Sequence, residues 1–184
     1  MSRVDDLVRN YERFVALKWQ ENLAPPQRVW MAVYPPVDER RLRLHVTAFK
    51  TATEKAGCIW GLIDLTDRFE NWMAAHEYRD LYLEEPELLP PALSRFMDDL
   101  VEEVRTELQQ HGDANSVVGL LGGGSLFGLG DQVKLSSLIE RVQEKIAGRM
   151  LVFFPGEHEG SSYRLLGARD GWNYLATPIT AEKH

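Results

Sequence analysis

Residues 116–135 read SVVGLLGGGSLFGLGDQVKL and carry the clearest sign of how this chain folds. Two valines and two leucines form an apolar run, a cluster of glycines follows, and a helical spacing of apolar residues begins after it. Apolar runs of this length are typical of buried strands, and glycine gives a tight connection the backbone freedom it needs. The stretch therefore predicts a strand, a glycine-rich loop and a helix in succession.

The rest of the chain alternates between strand and helix patterns in the same way. Apolar runs rich in Val, Ile and aromatic residues predict strands, and apolar residues at helical spacing predict helices between them. Proline breaks the connection over residues 83–91, and an Arg-Asp-Gly turn joins the last two strands. The predicted strands are 28–34, 57–65, 116–121, 149–155, 162–167 and 172–179, and the predicted helices are 3–19, 38–55, one from Thr66, one from Ala92 to about Leu108, and one from Leu135 that Gly148 ends.

This order of elements predicts an α/β fold. Strands that are apolar throughout and separated by helices form mostly parallel sheets with helices on both faces. We expect four to six strands, with the C-terminal pair as an antiparallel edge, in a nucleotide-binding-like scaffold. Residues 1–184 are predicted to be a single domain, with an N-terminal helix in residues 1–25 and the α/β core in residues 26–180. Asp38 and Asp131 are the predicted helix caps.

Composition narrows the function classes. The net charge of −7 disfavours a surface that coats nucleic acid, although Arg40, Arg41 and Arg43 form one local basic cluster. The single cysteine, Cys58, excludes an internal disulfide and lies in an apolar run, which predicts a buried, inert thiol. The first residues carry acids instead of an apolar stretch, so we expect no signal peptide, no membrane contact and a cytoplasmic location.

Three tests of the glycine loop as a catalytic motif give negative results. In a phosphate-binding P-loop, Lys and Ser or Thr follow the second glycine, whereas Ser125 and Leu126 follow Gly124 here. The dinucleotide pattern G-x-G-x-x-G fails in every frame. A nucleophile elbow G-x-S-x-G around Ser125 fails because Phe127 takes the last position. The loop retains the backbone of a phosphate site without its side chains, although its amides could still hold an anion.

Two acidic positions are weaker candidates for metal chemistry. Asp64 ends a strand, where it would suit a Mg²⁺ ligand but is more simply a cap for the helix that follows. Glu157, His158 and Glu159 offer three donors, but consecutive residues rarely converge on one ion. We therefore predict no metal and no cofactor. The alternative is a nucleotide- or metal-binding enzyme that uses the glycine-rich loop 119–130 with Asp64 and Glu157.

The C-terminal half resembles the BrxB family of bacterial BREX phage-defence systems. LVFFPGEHEGSSYRLLG and DGWNYLATPI, within residues 151–179, carry a strand that runs into Phe-Pro-Gly-Glu, then an acidic-glycine pair, an Arg-Leu pair and an Asn-Tyr. VYPP at 33–36 and IDL at 63–65 extend the similarity over residues 28–179. The family's arginines after the glycine turn and after Asn-Tyr are absent. The matching positions are Phe154, Pro155, Gly156, Glu157, Glu159, Gly160, Arg164, Leu165, Asn173 and Tyr174.

The resemblance implies an accessory component with no established catalytic residues. Such a component acts beside a PglZ-like protein of the alkaline phosphatase superfamily, an ATPase and a DNA methyltransferase. We therefore predict a non-enzymatic interaction protein of antiviral defence that binds a PglZ-like partner and other BREX components, without direct nucleic-acid contact and with a homo-oligomer left open. The candidate partner- or anion-binding residues are Gly122, Gly123, Gly124, Ser125, Pro155, Gly156, Glu157, Arg164, Asn173 and Tyr174.

Overall fold

The predicted α/β fold is confirmed. The computed structural model describes residues 1–183 and contains seven strands, of which five lie parallel in the order β2-β3-β4-β1-β7. The strands are β1 (Val29–Tyr34), β2 (Ile59–Asp64), β3 (Ser116–Leu121), β4 (Arg149–Glu159), β5 (Ser162–Leu165), β6 (Trp172–Asn173) and β7 (Thr177–Ile179). Their carboxyl ends meet at one edge of the sheet, because parallel strands share a direction.

Helices cover both faces of this sheet. The helices α1 (Arg3–Val15) and α2 (Glu39–Lys55) pack over one hydrophobic cluster, which includes Trp30 and Phe153. The long helix α5 (Leu89–Gln110) and the helix α6 (Leu135–Val142) pack over a second cluster on the opposite face, which includes Phe96 and Phe154. Successive side chains of β4 therefore pack into different clusters, because successive side chains of a strand point to opposite faces of the sheet. Two further α-helices, α3 (Arg68–Ala75) and α4 (Arg79–Glu84), lie between β2 and α5 in the chain.

Strand β2 differs from its prediction, because it is an edge strand and only partly buried. Ile59 and Leu62 remain 50% and 43% exposed, since β3 pairs with one side of β2 and no strand in residues 1–183 pairs with the other. Cys58, just before this strand, is half-buried and lies 3.5 Å from the Asn115 side-chain oxygen. Burial raises the pKa of the Cys58 thiol, which lowers its thiolate fraction near neutral pH.

Several predicted helix ends shift. The first helix stops at Val15, and the third begins at Arg68 instead of Thr66. Asp38 does not cap α2 with its side chain, because that carboxylate accepts a hydrogen bond from Arg3 at 2.9 Å. Asp131 is not the cap of α6 either, since Lys134 occupies that position. Tertiary contacts and loop geometry therefore determine where these helices begin and end, and local sequence signals alone do not.

The antiparallel C-terminal strands are present, but they do not form the edge of the main sheet. Strand β4 continues past its partner Tyr34 in β1, and Gly156 to Glu159 pair with β5, which in turn pairs with β6. Together these three segments form a small antiparallel unit, the C-terminal hairpin (156–173), which projects beyond the carboxyl edge. The edge next to β1 is β7, which runs parallel.

Within residues 1–183, none of the helices combines the length and the apolar character that crossing a bilayer requires.

Candidate binding groove at the carboxyl edge

The glycine loop begins with a close contact to the neighbouring strand. Gly122 adopts a left-handed conformation with φ of 83°. A side-chain carbon at this position would lie 2.6 Å from the Thr66 hydroxyl and 3.0 Å from the Asp64 carboxylate. Only glycine fits, because both the backbone angle and the space exclude a side chain. The glycine thus lets the chain turn tightly against the end of β2.

The loop then uses its own polar groups. Residues 123–126 form a 3₁₀ turn, in which the Ser125 amide donates to the Gly122 carbonyl and the Phe127 amide donates to the Gly124 carbonyl. The Ser125 hydroxyl donates to the Gly122 carbonyl at 2.7 Å and lies 3.2 Å from the Leu65 carbonyl. A phosphate cradle needs successive amides that converge on the ligand. Here the Ser125 and Phe127 amides are already bonded within the loop.

Asp64 stabilises the turn after β2 and does not cap the helix that follows, whose N-cap residue is Asp67. The Asp64 carboxylate accepts hydrogen bonds from the Thr66 hydroxyl and from the Thr66 amide, the latter at 3.0 Å. Arg43 is half-buried and lies 4.0 Å from Asp64, and it also donates hydrogen bonds to Glu39 at 2.9 Å and to Thr66 at 3.0 Å. These contacts hold the start of α2 against the turn after β2. One arginine of the basic cluster, Arg43, is therefore engaged within the protein.

The Phe-Pro-Gly-Glu stretch marks the point where β4 leaves the main sheet. Phe154 and Pro155 are buried, and Pro155 lies beside Gly124 of the glycine loop. At Gly156, a side-chain carbon would lie 2.1 Å from the Arg164 carbonyl oxygen. This distance is far below van der Waals contact, so a glycine is required for β5 to approach β4. The stretch is therefore a structural junction between the sheet and the C-terminal hairpin.

Glu157 and Arg164 face each other across the C-terminal hairpin. Their side chains form an ion pair at 3.2 Å, and both are exposed. Exposed pairs of this kind contribute about 0–1 kcal/mol. His158 follows on the opposite face of the strand and stacks on Tyr163 at 5.9 Å between ring centroids. The three donors Glu157, His158 and Glu159 thus alternate between faces and do not converge.

An aromatic contact fastens the C-terminal hairpin to α6. Trp172 stacks on Tyr174 at 4.3 Å between ring centroids, and the Trp172 indole donates to Glu140 at 2.8 Å. The Tyr174 hydroxyl donates to Gln143, and burial raises the pKa of this phenol. Two side chains of β6 and its neighbour therefore reach two side chains of the same helical segment, which fixes the position of the hairpin.

A groove of about 710 Å³ lies between the glycine loop and the C-terminal hairpin. One wall comes from residues 126–136 and the other from residues 163–173, with Phe154 among the lining residues. Phe127 stands 49% exposed in the first wall. Burial raises the pKa of Tyr163 in the second wall to about 12, so its phenol stays protonated at neutral pH.

Charges of both signs line the same groove. Asp131 and Lys134 belong to the first wall, and Arg169 and Asp170 to the second. None of the four takes part in an ion pair within the described part of the chain. The groove therefore combines an exposed aromatic side chain with solvent-accessible charges of both signs.

The predicted site residues do not all meet. Asn173 lines the groove, and Gly124 lies beside Pro155, but neither of these two residues is among the lining residues. Gly122, Gly123 and Ser125 pack against the β2 turn and α6, while Glu157 and Arg164 pair with each other on the surface and Tyr174 is buried beside Gln143. Sequence reasoning missed Phe127, Lys134 and Arg169 as lining residues. Their only sequence signal is their place in polar, glycine-rich turns.

The two acids of the alternative enzyme site lie apart. Asp64 ends β2 and Glu157 lies on the extension of β4, and β3 runs between these strands. Strands β2 and β4 are therefore two strand spacings apart, which corresponds to roughly 9–10 Å between their backbones. Within residues 1–183, no group of three His, Cys, Asp or Glu side chains is arranged to hold a metal ion. Asp64 therefore lies beside the glycine loop, whereas Glu157 does not join it there.

This arrangement leads to a prediction for ligand screens. Because the Ser125 and Phe127 amides are bonded within the loop, nucleotides and Mg²⁺ at millimolar concentration should leave the melting temperature unchanged within about 1 °C. A ligand at 100 times its Kd would add about 2.7 kcal/mol and raise the melting temperature by several degrees. Differential scanning fluorimetry with ATP, GTP, NAD and MgCl₂ measures this. A rise that a Ser125→Ala variant abolishes would show a working anion site in the loop.

The chain is thus an α/β protein with a mostly parallel sheet and a groove beside its carboxyl edge. Comparisons with known protein families, with curated proteins and with solved structures found no match.

Proposed function

We propose that this chain is a non-catalytic, partner-binding component of a bacterial BREX-type phage-defence system and acts in the cytoplasm. In this proposal the groove between residues 126–136 and 163–173 receives a PglZ-like protein. The observation that carries the proposal is that the BrxB-like residues from Gly156 to Asn173 belong to one structural unit, the C-terminal hairpin, which supplies a whole wall of the groove.

The chemistry of the groove supports a protein partner. Aromatic side chains and arginines are enriched at protein interfaces, and Phe127 and Arg169 both line the groove. The charged residues Asp131, Lys134 and Asp170 accompany them and can set the register of a partner through complementary charges. The Trp172–Glu140 contact holds the hairpin in place before binding. A preorganised surface of this kind loses less conformational entropy on association.

Two groove variants test the proposal. We expect Phe127→Asp and Arg169→Glu each to weaken binding to a PglZ-like protein at least about tenfold, because they remove an aromatic anchor or reverse an accessible charge. Matched controls are Tyr78→Asp, which changes another aromatic residue of 53% exposure outside the groove, and Arg40→Glu on exposed α2 surface. Co-expression followed by affinity purification and biolayer interferometry measures the effect.

The outcomes separate clearly. Loss of binding in the groove variants, with full binding in the two controls, supports the proposal. If the unaltered chain captures neither a PglZ-like protein nor any other BREX component, the proposed function is wrong. If the controls lose binding and the groove variants keep it, the partner binds elsewhere.

A further inference from the structure

A second cavity lies at the opposite, amino-terminal edge of the sheet. It has a volume of about 300 Å³ and sits between the end of α1, the connection that follows it, and the first residues of β1 and β4. It is separate from the groove and shares no lining residue with it. Its lining residues are Phe14, Leu17, Lys18, Trp19, Gln20, Leu23, Gln27, Trp30, Arg149, Leu175 and Thr177.

The chemically unusual member of this cavity is Arg149. Arg149 is only 7% exposed. Among the residues that the structure describes, no carboxylate lies within 4 Å of its guanidinium. The guanidinium donates to the Gly148 carbonyl at 3.0 Å and to the Gln20 carbonyl at 2.7 Å. Its central carbon lies 5.0 Å from the Trp19 ring and 6.0 Å from the Trp30 ring. The groups that contact this guanidinium directly are thus neutral carbonyls and indole rings.

The electrostatics around Arg149 favour an incoming anion. Burial, and secondarily the positive charge of Arg28, lower the pKa of the Arg149 guanidinium, which means that the protein disfavours its charge. Lys18 adds another cation to the cavity lining, and none of the lining residues is acidic. Buried charges in proteins are normally paired, because an unpaired one loses its hydration without compensation. The missing counter-charge is the observation that points to a ligand.

We propose that this cavity is a binding site for a carboxylate carried on a short apolar stem, with Arg149 as its counter-ion. The site is independent of the groove and of the proposed function, since the two cavities lie at opposite edges of the sheet.

The shape and chemistry of the cavity specify this ligand class. A guanidinium has five N–H donors in a planar fork that matches a carboxylate, and the structure assigns protein acceptors to two of its nitrogens. No buried side-chain nitrogen in residues 1–183 lacks a partner, so the third nitrogen of Arg149 remains within reach of solvent. The apolar residues Phe14, Leu23 and Leu175 line the remainder, and 300 Å³ suits a small molecule or a single side chain.

Binding is tested with probes that differ only in charge. Hexanoate carries the proposed carboxylate and stem, and hexanamide has the same shape without the charge. A capped Leu-Glu-Leu peptide and its Leu-Gln-Leu counterpart present the same chemistry from a polypeptide. Trp19 and Trp30 flank the site, so tryptophan fluorescence reports binding, and differential scanning fluorimetry reports stabilisation. At a saturating probe concentration we expect a rise in melting temperature of roughly 3 °C at constant ionic strength.

Two variants locate the site. In Gln27→Glu a carboxylate enters the cavity lining, and the residue keeps the side-chain acceptor that binds the Ala24 amide. We expect this variant to supply the missing counter-charge itself and to bind hexanoate at least tenfold more weakly. Gln109→Glu on the exposed face of α5 is the matched control, which adds the same charge elsewhere. Arg149→Lys keeps the charge but loses the fork and should also bind at least tenfold more weakly.

Each outcome decides the proposal. A response to hexanoate or to the Glu peptide, absent with the amide analogues and lost in Gln27→Glu but kept in Gln109→Glu, supports it. The probe that binds more tightly identifies a free carboxylate or a polypeptide as the source. If neither carboxylate probe changes fluorescence or melting temperature, or if the amides act equally, the proposal is overturned and Arg149 only bonds the Gln20 and Gly148 carbonyls. These readouts do not involve a PglZ-like protein, so the proposed function can fail separately.

Discussion

Replacing Gly156 with alanine is expected to lower the free energy of unfolding by about 2–3 kcal/mol. The new methyl group would lie 2.1 Å from the Arg164 carbonyl oxygen and 2.9 Å from the Phe154 ring. The nearest obstacle is backbone, which cannot swing away as a flexible side chain does. Strand β5 must therefore move off β4, which disrupts the register from Gly156–Leu165 to Glu159–Ser162. Urea denaturation monitored by circular dichroism measures the loss.

The same substitution has a matched control in the same hairpin. A side-chain carbon at Gly167 meets no atom within 4 Å, and its backbone is not left-handed. We expect Gly167→Ala to change the free energy of unfolding by less than about 0.5 kcal/mol. Gly156→Ala should also weaken partner binding, since the hairpin forms one wall of the groove. Equal stabilities of the two variants would contradict the junction assigned to Gly156.

Truncation of Phe153 to alanine is expected to have the largest effect on stability, about 3–5 kcal/mol. Phe153 is completely buried in β4, and its ring packs edge-to-face on Phe49 of α2 at 5.0 Å between centroids. Its removal leaves a cavity between the sheet and α2, because a close-packed interior relaxes only partly. For a domain of this size the melting temperature should fall by roughly 10 °C, measured by calorimetry.

Phe127→Ala provides the opposite case. This phenylalanine is half exposed at the groove, so its loss should leave stability within about 0.5 kcal/mol of the unaltered chain while partner binding falls. Phe153→Ala, studied well below its melting temperature, should still bind. A large drop in melting temperature for Phe127→Ala would mean that this side chain supports the fold instead of a partner.

Much of the fold follows from hydrophobic patterning alone. The run at 116–121 and the start of β4 are apolar on both faces because helices cover both faces, and continuous apolar runs carry that information. Hydrophobic patterning does not predict which strand lies at the edge of the sheet and is therefore partly exposed. The run at 57–65 has the same pattern, yet β2 is half exposed, because strand order is a property of the whole chain.

The extension of β4 illustrates a second limit. Pro155 and Gly156 signal the end of a strand, since proline lacks an amide donor and glycine weakens strands. In the structure they mark a change of partner, from β1 at Pro155 to β5 at Gly156. The Pro155 carbonyl accepts a hydrogen bond from the Leu166 amide. Local sequence rules identify the discontinuity but not which strand continues the pairing.

The groove could be predicted only in part. The glycine loop and the Phe-Pro-Gly-Glu stretch are recognisable motifs, and both lie beside it. Phe127 and Arg169 come from turns about 40 residues apart in sequence, which the fold brings to the two walls of one groove. No spacing rule connects such positions, because their proximity depends on the position of the hairpin against α6.

Hydrogen–deuterium exchange of the chain alone and with a PglZ-like protein locates the surface that the partner covers. We expect slower exchange in peptides from residues 126–136 and 163–173 on addition of the partner, with unchanged exchange in α2. Slower exchange confined to α2 or α4, or no change in any peptide at a partner concentration of 100 µM, would contradict it.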